Sequence, residues 1–101
     1  MKIKERLTQK IQPDKWGALD ELEEKYDLFE KPAGFPPKTR YQLILSSKSF
    51  NTVVVEREWE SLAAMEAAYE KLFANPEWFA LNAESSAVIK DGYSEILMPL
   101  P

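Results

Sequence analysis

Strand positions on the apolar side of a predicted sheet carry the polar side chains Glu5, Gln9, Tyr41 and Arg57. A buried carboxylate requires a cationic partner or hydrogen bonds, so these groups are expected to converge. Together they predict a pocket between the sheet and its helices. The walls of this pocket are expected to be aromatic and to come from Trp16, Tyr69 and Phe73. Such a site would bind a flat aromatic or carbonyl compound.

Proton-transfer chemistry is one interpretation of this pocket. Arg57 would meet a carboxylate or enolate of the substrate, Glu5 would accept a proton, and Tyr41 completes the candidate catalytic group. The other interpretation is structural, with a Glu5–Arg57 ion pair that closes the end of the core. Paired charges are common at strand ends, and burial alone does not make a base, so the sequence leaves both interpretations open.

Two further groups of residues also allow a chemical and a structural interpretation. Trp59 and Trp78 bracket the predicted second helix, either as pocket walls or as anchors of the helix ends, and large aromatic side chains mostly serve packing. The acidic stretch Asp20–Asp27 has carboxylates of the kind that bind metals, but its spacing spreads them around a solvated helix face. No metal site is therefore predicted.

Composition excludes several kinds of chemistry. The 101-residue chain contains no cysteine and no histidine, so thiolate nucleophiles, disulfides and histidine-ligated haem are excluded. Proton chemistry must use carboxylates, Tyr, Lys or a bound ligand, and no cofactor is expected. The net charge of −4 disfavours nucleic acid, whose binding requires Lys and Arg to neutralise phosphates. A small, hydrophobic or weakly charged ligand is expected instead.

The same composition predicts one globular domain over residues 1–101. Hydrophobic residues make up 45% of the chain and charged residues 30%, as in ordinary soluble domains. No apolar run approaches the roughly 20 residues that cross a bilayer, so no membrane partner is expected. The first residues, Met1–Arg6, lack the apolar stretch of a secretory signal, and a cytoplasmic location is the expectation.

Hydrophobic periodicity divides the first half of the chain into elements. Period-two alternation predicts a strand at Met1–Gln12, and apolar residues at three- and four-residue spacing predict a helix at Asp14–Phe29. The proline-rich segment Lys31–Thr39 is predicted to be a loop, which could be a lid, an arm to a partner or a plain connector. Arg40–Ser46 and Thr52–Glu58 are predicted to be the strands of a hairpin.

The second half begins with the clearest element. Ser61 is a good N-cap for a helix whose apolar stripe is Leu62, Met65, Tyr69, Leu72 and Phe73. Asn75 and Pro76 are expected to end this helix and start a short continuation through about Ser85. A turn is predicted at Asp91–Gly92, followed by a last strand at Tyr93–Met98.

This order predicts an α+β ferredoxin-like βαββαβ fold, in which an antiparallel four-stranded sheet has two main helices on one face. The other face would carry Ile44, Val54, Ile96 and Met98 among Lys, Thr and Glu. Such a face is too apolar to leave in water and too polar for the core of a monomer. A homodimer that pairs through the open sheet face is therefore expected.

Three segments carry a resemblance to a known superfamily. They are "IQPDKWGALDEL" at the first strand-to-helix junction, "NTVVVEREWESL" at the junction before the second helix, and "NPEW" at the end of that helix. In order and character they resemble the dimeric α/β-barrel superfamily and, nearest within it, the NIPSNAP-like domains. Gly17 falls where that group usually has its glycine after the first strand.

The resemblance implies a homodimeric NIPSNAP-like domain that binds a small molecule between sheet and helices. The alternative that it implies is a cofactor-independent monooxygenase or isomerase acting on an aromatic or carbonyl compound. The Asn, Trp and Tyr typical of such oxygenases have counterparts by residue type in Asn51, Trp59 and Tyr41. The absence of histidine separates the chain from the branches of the superfamily that ligate haem through histidine.

Overall fold

The structure is a computed structural model and describes residues 1–44 and 51–101. Its strands are β1 (Ile3–Ile11), β2 (Lys38–Gln42), β3 (Thr52–Trp59) and β4 (Ile89–Leu97). Its helices are α1 (Trp16–Glu30), α2 (Leu62–Phe73) and α3 (Pro76–Glu84), and a 3-10 turn, Ser85–Ala87, follows α3. No helix within these described residues is long and apolar enough to cross a membrane.

The strands form a four-stranded sheet in the order β2-β3-β1-β4. All three neighbouring pairs are antiparallel, and each half of the chain contributes a strand-helix-strand unit. The predicted α+β ferredoxin-like fold is therefore confirmed. The central strands β1 and β3 pair over their whole lengths, with Glu5 opposite Arg57 and Gln9 opposite Val53.

Helix boundaries around α2 follow the predicted capping residues. The Ser61 hydroxyl oxygen accepts a hydrogen bond from the Ala64 amide at 3.0 Å, so Ser61 is the N-cap of α2. The Asn75 side chain accepts one from the Glu77 amide at 3.0 Å, and Pro76 occupies the first position of α3. These contacts fix Trp78 in the first turn of α3.

Three predicted boundaries on the outer strands are wrong. β4 begins at Ile89 and runs straight through the predicted Asp91–Gly92 turn, because Asp91 and Gly92 pair with Lys10 and Gln9 of β1. β2 begins at Lys38, inside the predicted Lys31–Thr39 loop. The predicted strand Arg40–Ser46 overlaps β2 only in part, and its last residues, 45–46, lie outside the described residues, as does most of the predicted hairpin turn.

Buried apolar side chains form a core between the sheet and the helices in two clusters. The first cluster comprises Ile11, Leu19, Leu22, Val53, Val55, Leu81 and Val88. The second comprises Ile3, Ala33, Phe35, Trp59, Ala68 and Leu72. The second cluster packs the start of β1 against α2 and the segment after α1, so the predicted loop contributes to the core through Ala33 and Phe35.

The open face of the sheet differs from its predicted composition. Paired residues of antiparallel strands point to the same side, so Tyr41 shares this face with its partner Val54. The prediction that Tyr41 faces the helices is therefore wrong. Ile96 pairs with Glu5 and lies on the helix side, so its predicted place on the open face is also wrong. Val54 is confirmed there.

The physical reason for both errors is strand register at the sheet edges. β2 and β4 each have one neighbour, and their side chains are largely exposed on both sides. Apolar alternation therefore carries little information about which side is buried. The remaining predicted open-face residues lie past the ends of these strands and are exposed: Ile44 and Met98.

Candidate functional site

Glu5 is a buried carboxylate on the helix side of β1, with 7% of its surface exposed. The Trp59 indole Nε1–H donates a hydrogen bond to Glu5 Oε1 at 3.0 Å. The Tyr69 hydroxyl, from α2, donates a short hydrogen bond to Glu5 Oε2. Each oxygen of the carboxylate thus has a neutral donor, and we call Glu5, Trp59 and Tyr69 the Glu5 cluster.

The Tyr69 hydroxyl is held in its protonated form. Burial raises the pKa of Tyr69 well above its ordinary value, and the hydrogen bond to Glu5 and the negative charge of Glu5 raise it further. The positive charge of Arg57 opposes this effect but does not overcome it. Tyr69 is therefore a hydrogen-bond donor at neutral pH, and it cannot act as a base.

Arg57 forms its ion pair with Glu30, the last residue of α1, rather than with Glu5. Its Nη2 lies 2.5 Å from Glu30 Oε1, and its Nε donates to the Pro36 carbonyl at 3.2 Å. The guanidinium also lies 4.9 Å from the centre of the Phe35 ring, which is a cation–π contact. The predicted Glu5–Arg57 ion pair is therefore wrong.

Lys38, at the start of β2, is a second buried cation beside Arg57. Its Nζ contacts the Glu23 carboxylate, Glu30 Oε1 at 3.2 Å and Asp27 Oδ1 at 3.3 Å. Burial by itself would lower the pKa of Lys38, but the Glu23 hydrogen bond and the charges of Glu30 and Glu23 outweigh it and raise the pKa. Lys38 therefore stays charged, and its charge is balanced by these acids.

Phe35 connects the Glu5 cluster to these charges. Its ring meets those of Trp59 and Tyr69 edge to face, at centroid distances of 5.1 Å and 4.9 Å. Gly34, with φ of 92°, supplies the left-handed turn that brings Phe35 back onto the sheet. Only 8% of Phe35 is exposed, so its ring forms a packed wall of the core.

A cavity of about 140 Å³ lies between the sheet and the helices, beside this wall. Its apolar lining is Leu7, Phe35, Val55, Leu72 and the ring of Trp78. Its polar lining is Gln9, Glu23, Tyr26, Glu30, Lys38, Arg57, Tyr69 and Asn82. We refer to this space as the cavity.

Three buried polar atoms of residues that line the cavity have no hydrogen-bond partner within residues 1–44 and 51–101: Gln9 Oε1, Glu23 Oε2 and Trp78 Nε1. Glu23 Oε2 contacts the Lys38 ammonium, so the two atoms with neither a hydrogen bond nor an ion pair are Gln9 Oε1 and Trp78 Nε1. We call these two atoms the open pair. One is an acceptor and the other a donor. Buried polar atoms are nearly always satisfied, so these two atoms are exceptions in the packing of the cavity lining.

The structure brings together some of the predicted site residues. Gln9, Arg57 and Tyr69 line the cavity, and Glu5 lies directly behind Tyr69. Of the two tryptophans that could be pocket walls or anchors, Trp78 lines the cavity. Trp59 is buried in the core and anchors the end of β3.

Three predicted residues do not reach the cavity. The Trp16 indole donates to Asn51 Oδ1 at 3.1 Å and packs against the first core cluster, outside the cavity lining. Phe73 is 51% exposed and stacks between Tyr69 and Trp78 on the outside of α2. Tyr41 lies on the open face.

Other lining residues were missed, because they come from helix faces that the sequence presents as solvated. Glu23 and Glu30 belong to the acidic side of α1, and Lys38 belongs to the predicted loop. No signal in the sequence separates these acids from their exposed neighbours. For Lys38 the sequence holds one weak indication. It follows two prolines at the start of a strand, and a long side chain at such a position can reach back to the acids of the preceding helix. Of the described residues, no group of acidic side chains is arranged to hold a metal ion.

A surface groove of about 520 Å³ adjoins the cavity along β2. The groove and the cavity share Glu30, Phe35, Lys38 and Arg57 as lining residues. These side chains therefore form the partition between an inner and an outer space.

The open face of the sheet holds a shallow depression of about 490 Å³. Its floor combines aromatic and aliphatic side chains from three strands with a charged margin. The lining residues are Arg6, Thr8, Tyr41, Leu43, Val54, Glu56, Tyr93 and Glu95. Arg6 and Glu56 form an ion pair at 2.9 Å within this margin.

The chain shares its fold with several solved proteins. An uncharacterized NIPSNAP-like domain protein from Burkholderia xenovorans superposes with a TM-score of 0.79 and 18% identity, covering 98% of this chain and 85% of that one. A NIPSNAP family protein from Agrobacterium tumefaciens gives a TM-score of 0.78 and 20% identity, covering 99% and 94%. No protein-family model matches the chain, and no curated protein matches its sequence.

A more distant structure with the same fold is SnoaB, a cofactor-independent oxygenase from Streptomyces nogalater. Its N63A mutant superposes with a TM-score of 0.69 and 14% identity, covering 99% of this chain and 94% of that one. These likenesses confirm the predicted resemblance to NIPSNAP-like and related α/β-barrel proteins at the level of the fold. Fold does not carry activity with it, so they assign no chemistry to the cavity.

Proposed function

We propose that this chain is a homodimeric small-molecule-binding domain whose ligand occupies the cavity between the sheet and the helices. The observation that carries the proposal is the cavity itself, about 140 Å³ in volume, whose lining combines the Phe35 and Trp78 rings and aliphatic side chains with polar groups. Such a mixed lining is typical of small-molecule sites, in which apolar walls hold the ligand and a few polar groups orient it.

Binding without turnover is favoured over catalysis by the state of the candidate catalytic groups. Both oxygens of Glu5 already accept hydrogen bonds, Tyr69 is held protonated, and Arg57 is engaged by Glu30 and the Pro36 carbonyl. A monooxygenase or isomerase remains the alternative, and its support is the fold shared with SnoaB. In that reaction Glu5 would accept the proton on a lone pair that the Trp59 and Tyr69 hydrogen bonds leave free.

Dimerisation is supported by the open sheet face. Tyr41 and Tyr93 are each about half exposed there, at 51% and 46%, on either side of Val54 and Thr8 in one row across the sheet. An exposed apolar row with a charged margin is typical of a protein interface. A second copy related by a two-fold axis would cover it with the same row.

The ligand proposal is tested by thermal denaturation with a broad panel of single-ring compounds. A true ligand at ten times its Kd stabilises the folded state by about 1.4 kcal/mol and raises Tm by about 5–10 °C. The Gln9→Leu and Trp78→Phe variants should lose this shift. Trp16→Phe is the matched control, because it also removes an indole but from a residue outside the cavity lining. A panel without any stabilising compound would overturn the proposal.

The dimer proposal is tested by sedimentation at micromolar concentration. Tyr41→Glu and Tyr93→Glu should each shift the protein from dimer to monomer, with at least about tenfold weaker association, because each buries a charge in the interface. Leu62→Glu is the control, since Leu62 is similarly exposed but lies on α2. A wild-type protein that sediments as a monomer contradicts the proposal.

A further inference from the structure

The charged side chains between the helices and the sheet include more buried acids than buried cations. Three acids and two cations there are at most 13% exposed: Glu5, Glu23, Glu30, Lys38 and Arg57. Asp27, which contacts Lys38, is a fourth acid and is partly exposed. Two cations balance two of the buried acids, so at least one buried negative charge lacks a positive partner within the described residues.

Glu5 is the acid without a cation. In the part of the chain that the structure describes it forms no ion pair, and its oxygens accept hydrogen bonds from the neutral Trp59 indole and Tyr69 hydroxyl. Arg57 lies opposite Glu5 in the sheet, but its guanidinium contacts the Glu30 carboxylate. Neutral donors stabilise a buried carboxylate without cancelling its charge, so the unbalanced charge remains in a region of low dielectric constant.

The negative charge reaches the cavity lining, at the hydroxyl groups of Tyr69 and Tyr26. Both hydroxyls have a raised pKa, and burial is the largest cause of each shift. The charges of Glu5 and Glu30 raise the pKa of Tyr69 further, and the charge of Arg57 lowers it by less than Glu5 raises it. At Tyr26 the charges of three acids act in the same direction, so the lining has a negative electrostatic potential.

The aromatic rings of the lining add a second preference for positive charge. Tyr26, Phe35, Tyr69 and Trp78 all line the cavity, and the face of an aromatic ring attracts a cation, most strongly at tryptophan. Arg57 already lies over the Phe35 ring, 4.9 Å from its centre. An apolar cavity of about 150 Å³ holds one benzene molecule, and this cavity measures about 140 Å³, so it suits an occupant the size of a single ring.

We propose that the ligand of the cavity is a compact organic cation, an amine whose hydrocarbon body is the size of a single ring. Its ammonium group supplies the positive charge that the buried acids lack, and its body packs against the aromatic and aliphatic walls. The inference rests on the proposed function, since it assigns a ligand class to the same cavity. It deepens that function by separating amines from alcohols and carboxylates of equal size.

The test compares three single-ring probes of nearly equal size that differ in charge at neutral pH. They are benzylamine, which is positive, benzyl alcohol, which is neutral, and benzoate, which is negative. Titrations followed in a ¹H–¹⁵N correlation spectrum give the Kd and, through the indole signals of the three tryptophans, the place of binding. Trp→Phe variants assign these signals. Benzylamine should shift the Trp78 signal and bind at least about tenfold more tightly than either other probe, because it adds charge-assisted interactions.

Two substitutions among the buried charges should change benzylamine binding in opposite directions. Glu23→Gln removes a negative charge and should weaken binding about three- to tenfold, whereas Glu24→Gln, on the exposed side of α1, should leave it unchanged. Lys38→Met removes a positive charge and should tighten binding by a similar factor. A purely structural role of these charges would weaken binding in both variants. If Lys38→Met does not fold, the affinity of Glu23→Gln for benzylamine relative to benzyl alcohol decides the test.

Binding of benzyl alcohol or benzoate at the Trp78 indole that is as tight as that of benzylamine would overturn the cation assignment and leave the proposed function standing. Binding of benzylamine that leaves the Trp78 signal in place would mean that the amine binds acids on the surface, and it would also overturn the assignment. If neither these probes nor the broad panel shifts the Trp78 signal, both proposals fail.

Discussion

Glu5 and Gln9 lie four residues apart on the same side of β1, about 13 Å along the strand, and they have opposite surroundings. Both oxygens of Glu5 accept hydrogen bonds from Trp59 and Tyr69. Gln9 lines the cavity, and its Oε1 atom belongs to the open pair. The comparison teaches that a polar residue on a buried strand face does not by itself mark a binding site. The two residues differ in hydrogen bonding, since Glu5 accepts on both oxygens and Gln9 Oε1 has no partner.

The difference arises from the elements that cover each residue. Over Glu5, the end of β3 supplies Trp59 and α2 supplies Tyr69, so two donors converge on one carboxylate. Beside Gln9, the cavity is lined by residues of all three helices, and α3 contributes the indole of Trp78. The Asn75–Pro76 start of α3 places Trp78 in its first turn, where it reaches the cavity.

The largest expected effect is that of Glu5→Leu, which should lower the free energy of unfolding by about 2–5 kcal/mol. The substitution leaves the Trp59 and Tyr69 donors buried without their acceptor, and each such loss amounts to about 1–3 kcal/mol. Urea denaturation measures the change. Glu58→Leu, on the exposed side of β3, is the control and should change stability by less than about 0.5 kcal/mol. Equal losses of unfolding free energy at the two positions would mean that the Glu5 cluster stabilises the fold no more than an exposed carboxylate does.

Arg57→Leu tests the boundary between the two regions, because Arg57 is opposite Glu5 and also lines the cavity. We expect a loss of about 2–3 kcal/mol, less than for a fully isolated buried pair, because Lys38 remains close to Glu30. A double-mutant cycle with Glu30→Gln measures the coupling. Arg40→Leu, whose ion pair with Asp20 is more exposed, should change stability by at most about 1 kcal/mol. A coupling near zero would mean that Glu30 does not hold Arg57.

Tyr69→Phe should lower stability by about 1–2 kcal/mol at neutral pH and change its dependence on pH. The folded-state pKa of Tyr69 is raised above the ordinary value of 10.0, so above that pH the unfolded chain loses a proton that the folded chain keeps. Wild-type stability should therefore fall as pH rises above about 10, by at most about 1.4 kcal/mol per pH unit for this group. Unfolding measured from about pH 9 to about pH 11 should show a shallower fall in the variant. Identical slopes would contradict the raised pKa.

Gln9→Leu should have the smallest effect, and it is expected to differ in sign. Because Gln9 Oε1 belongs to the open pair, its replacement by an apolar side chain of similar volume should leave stability unchanged or raise it by up to about 1 kcal/mol. The same urea titration used for Glu5→Leu measures it. A loss of more than about 1 kcal/mol in the free energy of unfolding would show that Gln9 makes stabilising hydrogen bonds, as Glu5 does. The contrast between the two residues would then be wrong.

Sequence patterns predicted the centre of the sheet well and its edges poorly. In β1 and β3, long alternation fixed which side Glu5, Gln9 and Arg57 occupy, because both strands have neighbours on each side and a wrong register would expose Val53 and Val55. In β2 and β4 that penalty is weak, and Tyr41 and Ile96 were assigned to the wrong faces.

The sequence predicted where the candidate site lies but not which side chains pair with one another there. The position of a pocket between sheet and helices followed from strand parity. The pairing of Arg57 with Glu30 did not, because it depends on how the end of α1 and the segment through Pro36 pack over β3. Trp78 was recognised as a helix-end aromatic, but whether its indole meets a partner or a cavity depends on three-dimensional packing that no local spacing records.

The position of the Gln9 side chain depends on Gly92, a residue outside the cavity lining. It pairs with Gln9 across β1 and β4, and a Cβ atom at Gly92 would lie 2.9 Å from the Thr8 carbonyl oxygen and 3.4 Å from Gln9 Cγ. Any larger residue would push the strand or the Gln9 stem aside. A substitution at Gly92 should therefore alter the cavity lining as directly as a substitution at Gln9 itself. The shape of the cavity depends partly on a residue that has no side chain.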